Sequence, residues 1–117
     1  MNFLAVGLGG FLGAVLRYSV DLLPFCRDGF PVKTLCVNVI GSFALGLLYA
    51  AAAHKDFSPV LLLFLGTGLC GGFTTFSTFA VQSCRLLAAD LPLAAAYALT
   101  SLVLGVGAVF CAGWLVR

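Results

Sequence analysis

From Phe57 to Cys84 the chain carries no charged residue, yet the middle of that run reads GTGLCGGFTTFSTF, from Gly66 to Phe79. A helix rising about 1.5 Å per residue needs about 20 residues to cross a hydrocarbon core about 30 Å thick. Length alone therefore makes this stretch a membrane segment. Its composition forbids a plain one. Gly66, Gly68, Gly71 and Gly72 weaken the helix, and Thr74, Thr75, Ser77 and Thr78 set hydroxyls around Phe73, Phe76 and Phe79. Broken backbone at membrane depth persists only where protein or a wet cavity covers it. The segment is expected to break near 71–78 and to hold an ion or substrate there.

The other segments follow suit. Uncharged or nearly uncharged runs predict helices over about 2–23, 34–53, 57–84 and 91–116, joined by short polar connections. The chain of 117 residues is 62% hydrophobic and 9% charged, against about 25% charged in soluble domains. The expected class is an all-α integral membrane protein, a single transmembrane domain over 1–117 with four spanning helices. The opening MNFLAVGLGG lacks a basic flank and reads as the first span rather than a secretory signal. A net charge of +2 is too small to argue for nucleic acid, no basic cluster exists, and no nucleic-acid partner is expected. Cys26, Cys36, Cys70, Cys84 and Cys111 form no CxxC pair and read as packing residues. Gly9 with Gly13, and Gly68 with Gly72, have the small-residue spacing of close helix crossings; Gly71 and Gly72 are set apart because hydroxyls follow at once.

Four crossings put both termini on one side with Lys55 and Arg117, and leave Arg27, Lys33 and Arg85 on the other. The near balance gives weak orientation by the positive-inside rule. It permits insertion both ways, and so an antiparallel dimer of identical subunits.

The polar groups within the spans are Asn38 and Ser42, then Thr74, Thr75, Ser77 and Thr78, then Tyr97, Thr100 and Ser101. All are neutral donors. No Asp, Glu or His lies in the middle of a span. The alternative function, a small dual-topology proton-coupled multidrug-type transporter, needs a membrane carboxylate; the first-helix stretch GLGGFLGAVLRY has none. A non-conducting scaffold would have no use for the hydroxyls. No nucleophile–base pair, metal cluster or phosphate loop suggests an enzyme. Neutral donors suit a desolvated anion, and the ring edges of Phe76 and Phe79 could assist, although such pairs more commonly serve packing. Unwound carbonyls near Gly71 and Thr74 would suit a cation. Arg17 is open to two readings, a pore-vestibule charge or a snorkelling side chain paired with Asp21 one turn on.

Three stretches, GGFLGAVLRY at Gly9–Tyr18, TLCVNVIGSFALG at Thr34–Gly46 and GLCGGFTTFSTF at Gly68–Phe79, together resemble the Fluc (CrcB-type) fluoride channels. Lys33 departs from the glycine common in that family. The resemblance implies a dual-topology homodimer in the inner (plasma) membrane with two antiparallel pores, passing fluoride passively out of the cytoplasm. It implies a structural sodium ion at the dimer centre, held by the backbone carbonyls of Gly71 and Thr74. By motif position Asn38, Phe76, Phe79, Ser77, Thr78, Tyr97 and Ser101 belong to the fluoride pathway, and Arg17 lies near a vestibule.

Overall fold

The computed structural model describes residues 1–25 and 29–117; Cys26, Arg27 and Asp28, counted above among the cysteines and loop charges, lie outside the described residues. The described chain is helical throughout its spans, and four stretches are long and apolar enough to cross a membrane. The molecule is 48 Å along its longest axis, sufficient for a bilayer of about 40–45 Å including headgroups.

Helix α1 runs Asn2–Asp21 and α2 runs Val32–Ala52. The first stops at Asp21 rather than 23 because Pro24 follows, and a residue before proline is pushed out of the helical region. The second starts directly after Pro31, which leaves Val32 free to open the helix. Lys33 joins the two, its Nζ donating to the Asp21 carbonyl oxygen at 2.8 Å.

The third span starts at Pro59, with the Ser58 hydroxyl accepting the Leu61 N–H at 3.0 Å, and ends at Ala89 rather than 84. Arg85 marks the edge of the apolar run, not the end of the helix. This span is bent in the middle. Its first half, here α3 (59–73), includes a π-wound stretch over Leu63–Cys70. Thr74 and Thr75 are then extended, with ψ of 159° and 116°, before α4 resumes over Phe76–Ala89. Asp90 separates α4 from α5 (Leu91–Val116) and caps the latter by accepting the Leu93 N–H at 3.1 Å.

Helices α1 and α3 meet along a glycine seam. A Cβ on Gly9 would strike the Phe64 carbonyl oxygen, one on Gly13 would lie 2.7 Å from Phe73 N, and one on Gly72 2.6 Å from Gly10 O. These are backbone atoms that no rotamer can clear. Gly72, paired with Gly71 on sequence grounds, thus belongs to the packing seam; beside Gly71 the nearest atom would be 3.7 Å away. Helix α2 packs on α5 in the same manner, with Gly46 against Ala112 and Val109. Elsewhere the surface is apolar: Phe3, Phe11, Leu99, Leu102, Phe110 and Trp114 all project outward, as lipid or a second subunit requires.

Candidate functional site

The site forms where the third span comes apart. An α-helix ending at Phe73 leaves its last carbonyls without donors. One cause of the ending is Asn38, on α2. Its Oδ1 accepts the Thr75 N–H at 2.8 Å, and its Nδ2 donates to the Thr75 carbonyl oxygen at 3.1 Å. This two-point clasp holds Thr75 extended. It also takes the N–H that would otherwise close the helical bond onto Gly71, so the Gly71 carbonyl drops out of the ladder. Gly41 makes room for the clasp, because a side chain there would collide with Thr74 Cγ2.

Thr75 then starts α4. Its hydroxyl oxygen accepts the Thr78 N–H at 3.2 Å as an N-cap, and its hydrogen goes to Thr78 Oγ1 at 3.0 Å. The Thr78 hydroxyl accepts in that bond, so its own hydrogen stays available. Ser77 Oγ lies 3.5 Å from Thr75 Oγ1, and both Ser77 and Thr78 are exposed. On the other side of the break the Arg17 Nη1 donates to the Thr74 carbonyl oxygen at 3.3 Å. The bond is thus to main chain, in place of the Asp21 pairing considered from sequence.

Beside the clasp lies a cavity of about 340 Å³, walled by Asn38, Ser42, Thr74, Thr75, Phe76, Phe79 and Ser101 among others. Among the described residues no carboxylate or basic side chain lines it. Ser101 Oγ is buried without a hydrogen-bond partner, and an orphaned buried hydroxyl stands out in a folded protein. The two phenylalanines have ring centroids 5.8 Å apart and are tilted 45° to each other. Phe79 continues to Tyr97 at 5.0 Å, and Tyr97 to Phe30 at 5.5 Å, edge to face. The rings make a continuous aromatic file leading away from the cavity.

The family model described as CrcB-like protein, Camphor Resistance (CrcB), matches residues 4–114. The chain belongs to the CrcB family. It is 44% identical over 117 residues to fluoride-specific ion channel FluC 1 of Streptomyces avermitilis, covering 97% of this chain and 94% of that protein. It is 49% identical over 88 residues to fluoride-specific ion channel FluC of Campylobacter jejuni, covering 74% of this chain and 72% of that one. FluC 1 of Listeria monocytogenes is also 49% identical over 88 residues.

Within this CrcB chain, Asn38, Thr74, Phe76, Phe79 and Ser101 share one cavity. Tyr97 stands behind Phe79, fully buried, and donates its hydroxyl to Gln82 Oε1 at 2.8 Å. Ser77 and Thr78 do not wall the cavity and sit on the outer side of the α4 start. Gly71 and Arg17 belong to the carbonyl side of the break. Sequence reasoning left two residues out of the site. Thr75 is the hub of the clasp and the cap; Gln82 is the partner of Tyr97. Gln82 was within reach, because Phe76, Phe79 and Gln82 recur every third residue along one side of α4. Nothing in the spacing separates Thr75 from its hydroxyl neighbours.

The described residues contain no group of three His, Cys, Asp or Glu that could hold a metal. A cation at this break has carbonyl oxygens to bind. Hard monovalent and alkaline-earth ions favour oxygen ligands, and helix C-termini carry partial negative charge. The freed Gly71 carbonyl and the loosely engaged Thr74 carbonyl fit such an ion.

Proposed function

We propose that this chain is a fluoride channel that lets fluoride leave the cytoplasm passively and so lowers its toxicity. The observation that carries the reading is the cavity at the break. It is walled by neutral donors and phenylalanine rings, and one of its wall residues, Ser101, has a buried hydroxyl without a hydrogen-bond partner. The FluC relatives, by their names, support the choice of anion.

In mechanism, an entering fluoride sheds water against O–H and N–H donors. Ser101 offers its free hydroxyl, and Asn38 keeps one Nδ2 hydrogen beyond the clasp. Phe76 and Phe79 would present ring edges, the positive part of the quadrupole. Thr78 and Ser77 add hydroxyls at the start of α4, where the helix N-terminus favours negative charge. No proton coupling belongs to this reading, in which the ion is handed along neutral groups.

The working unit in this reading is a dual-topology homodimer in the inner membrane. Phe76 is 79% exposed at the mouth of the cavity, and a second subunit would close that side. Sodium at the dimer centre would be held by the Gly71 and Thr74 carbonyls and would fix the two breaks against each other.

The test is efflux from liposomes carrying the purified protein, read with a fluoride electrode and repeated with chloride. Rapid fluoride release with negligible chloride release is expected. Folded, dimeric protein that releases no fluoride would refute the reading. Phe79→Ile removes the ring edge while keeping an apolar side chain, and should slow fluoride efflux by about tenfold or more.

A further inference from the structure

We propose that the Arg17 guanidinium is a built-in rival of sodium for the Thr74 carbonyl, and so sets how much sodium the helix break needs. The inference rests on the sodium site proposed above. It starts from the one side-chain cation that is hydrogen-bonded to the break among the described residues. Arg17 Nη1 lies 3.3 Å from Thr74 O and is part-buried. Charge-assisted bonds of this kind run about 2.7–2.9 Å, so the contact is long and open to displacement.

The same oxygen lies on the C-terminal side of α3, where orphan carbonyls favour positive charge. A hard cation held by that oxygen would stand close beside the guanidinium. Among the described residues no acidic side chain is hydrogen-bonded to Arg17 to offset the repulsion. Asp21, one turn on, is exposed, and its backbone carbonyl accepts from Lys33. The carbonyl has a second lone pair, so the conflict is one of charge, and it would be relieved by Arg17 turning away. Its long stem allows that, because an arginine near a helix end can turn its head outward to water while its methylenes stay on the apolar surface.

A cap that merely satisfied the carbonyl would have a different consequence. Removing a cap destabilises the protein at every sodium concentration and leaves the sodium midpoint where it was. Removing a rival lowers the midpoint.

The experiment uses the full-length protein in detergent. Its thermal unfolding is followed across a sodium series, with N-methylglucamine keeping ionic strength constant, and fluoride efflux is measured in parallel. Arg17→Met and Arg17→Gln should lower the half-saturating sodium concentration by about tenfold or more, whereas the charge-keeping Arg17→Lys should stay within about threefold of the parent. If Arg17→Met does not fold, Arg17→Gln carries the comparison. Equal midpoints across the series, or a higher midpoint on removing the charge, would overturn the proposal. Unfolding that ignores sodium in every protein while fluoride efflux persists would overturn both the rivalry and the sodium site, and leave the fluoride reading standing. The expected midpoint shift without fluoride efflux would uphold the rivalry and count against the channel.

Discussion

The two half-helices that meet at Thr74 and Thr75 are built on opposite terms. On the α3 side the backbone is held by steric fit: Gly9, Gly13 and Gly72 let α1 approach until main chain touches main chain. What reaches the break from that side is carbonyl oxygen. On the α4 side the backbone is held by hydrogen bonds from Asn38 and the Thr75 hydroxyl, and what it presents is donors and ring edges. A helix cut in two thus offers a negative end and a positive end within a few residues. One cut brings acceptors and donors side by side.

The largest effect should come from crowding the steric side. In Gly72→Leu the new Cβ would sit 2.6 Å from Gly10 O, and the conflict can be relieved only by parting α1 from α3. We expect a loss of more than about 3 kcal/mol, seen as failure to purify as a monodisperse species. Gly71→Ala is the control, since its nearest neighbour would be at 3.7 Å; its unfolding temperature should barely move. Equal damage from both would erase the distinction between seam and open carbonyl.

Next is the clasp. Asn38→Asp keeps an acceptor for the Thr75 N–H but sets a carboxylate against the Thr75 carbonyl and the passing anion. Fluoride efflux should fall by about tenfold or more with the fold retained. Parent-like efflux would mean that neither the clasp nor the lost donor matters to conduction. A smaller effect is expected at the cap, where Thr75→Val should cost about 1 kcal/mol of thermal stability and Thr75→Ser should restore most of it.

The two sides also differed in how far the residues announced them. Four spans and a break in the third follow from uninterrupted apolar length and from the Gly–Thr–Phe composition, which are local properties. The positions of the rings at Phe76 and Phe79 follow from helical spacing. The clasp does not, because Asn38 and Thr75 are 37 residues apart, and only the packing of α2 across the break brings them together. For the same reason Asn38 read as a free donor, whereas most of its amide is committed to main chain. The π-wound stretch at Leu63–Cys70 was equally hidden, since no residue type demands it. Gly72 is legible in two ways, by its spacing from Gly68 as a packing residue and by its neighbour Gly71 as part of the break; its neighbour in space, Gly10, decides for packing.

The smallest expected effect sharpens the donor side further. Tyr97 contributes two separable things: a ring 5.0 Å from Phe79 and a hydroxyl donated to Gln82 at 2.8 Å. Tyr97→Phe removes only the second. A single hydrogen bond of this kind is worth about 1 kcal/mol net, so the melting temperature should drop slightly. If the ring is what the pathway uses, fluoride efflux should remain within about threefold of the parent, a change of well under 1 kcal/mol in barrier. If efflux instead falls as far as it does in Phe79→Ile, the hydroxyl is itself a donor to the ion, and its bond to Gln82 must open for each passage. Gln82→Leu then separates the cases. Freeing the Tyr97 hydroxyl from its acceptor should raise efflux if the bond is an obstacle, and leave it unchanged if the ring alone matters.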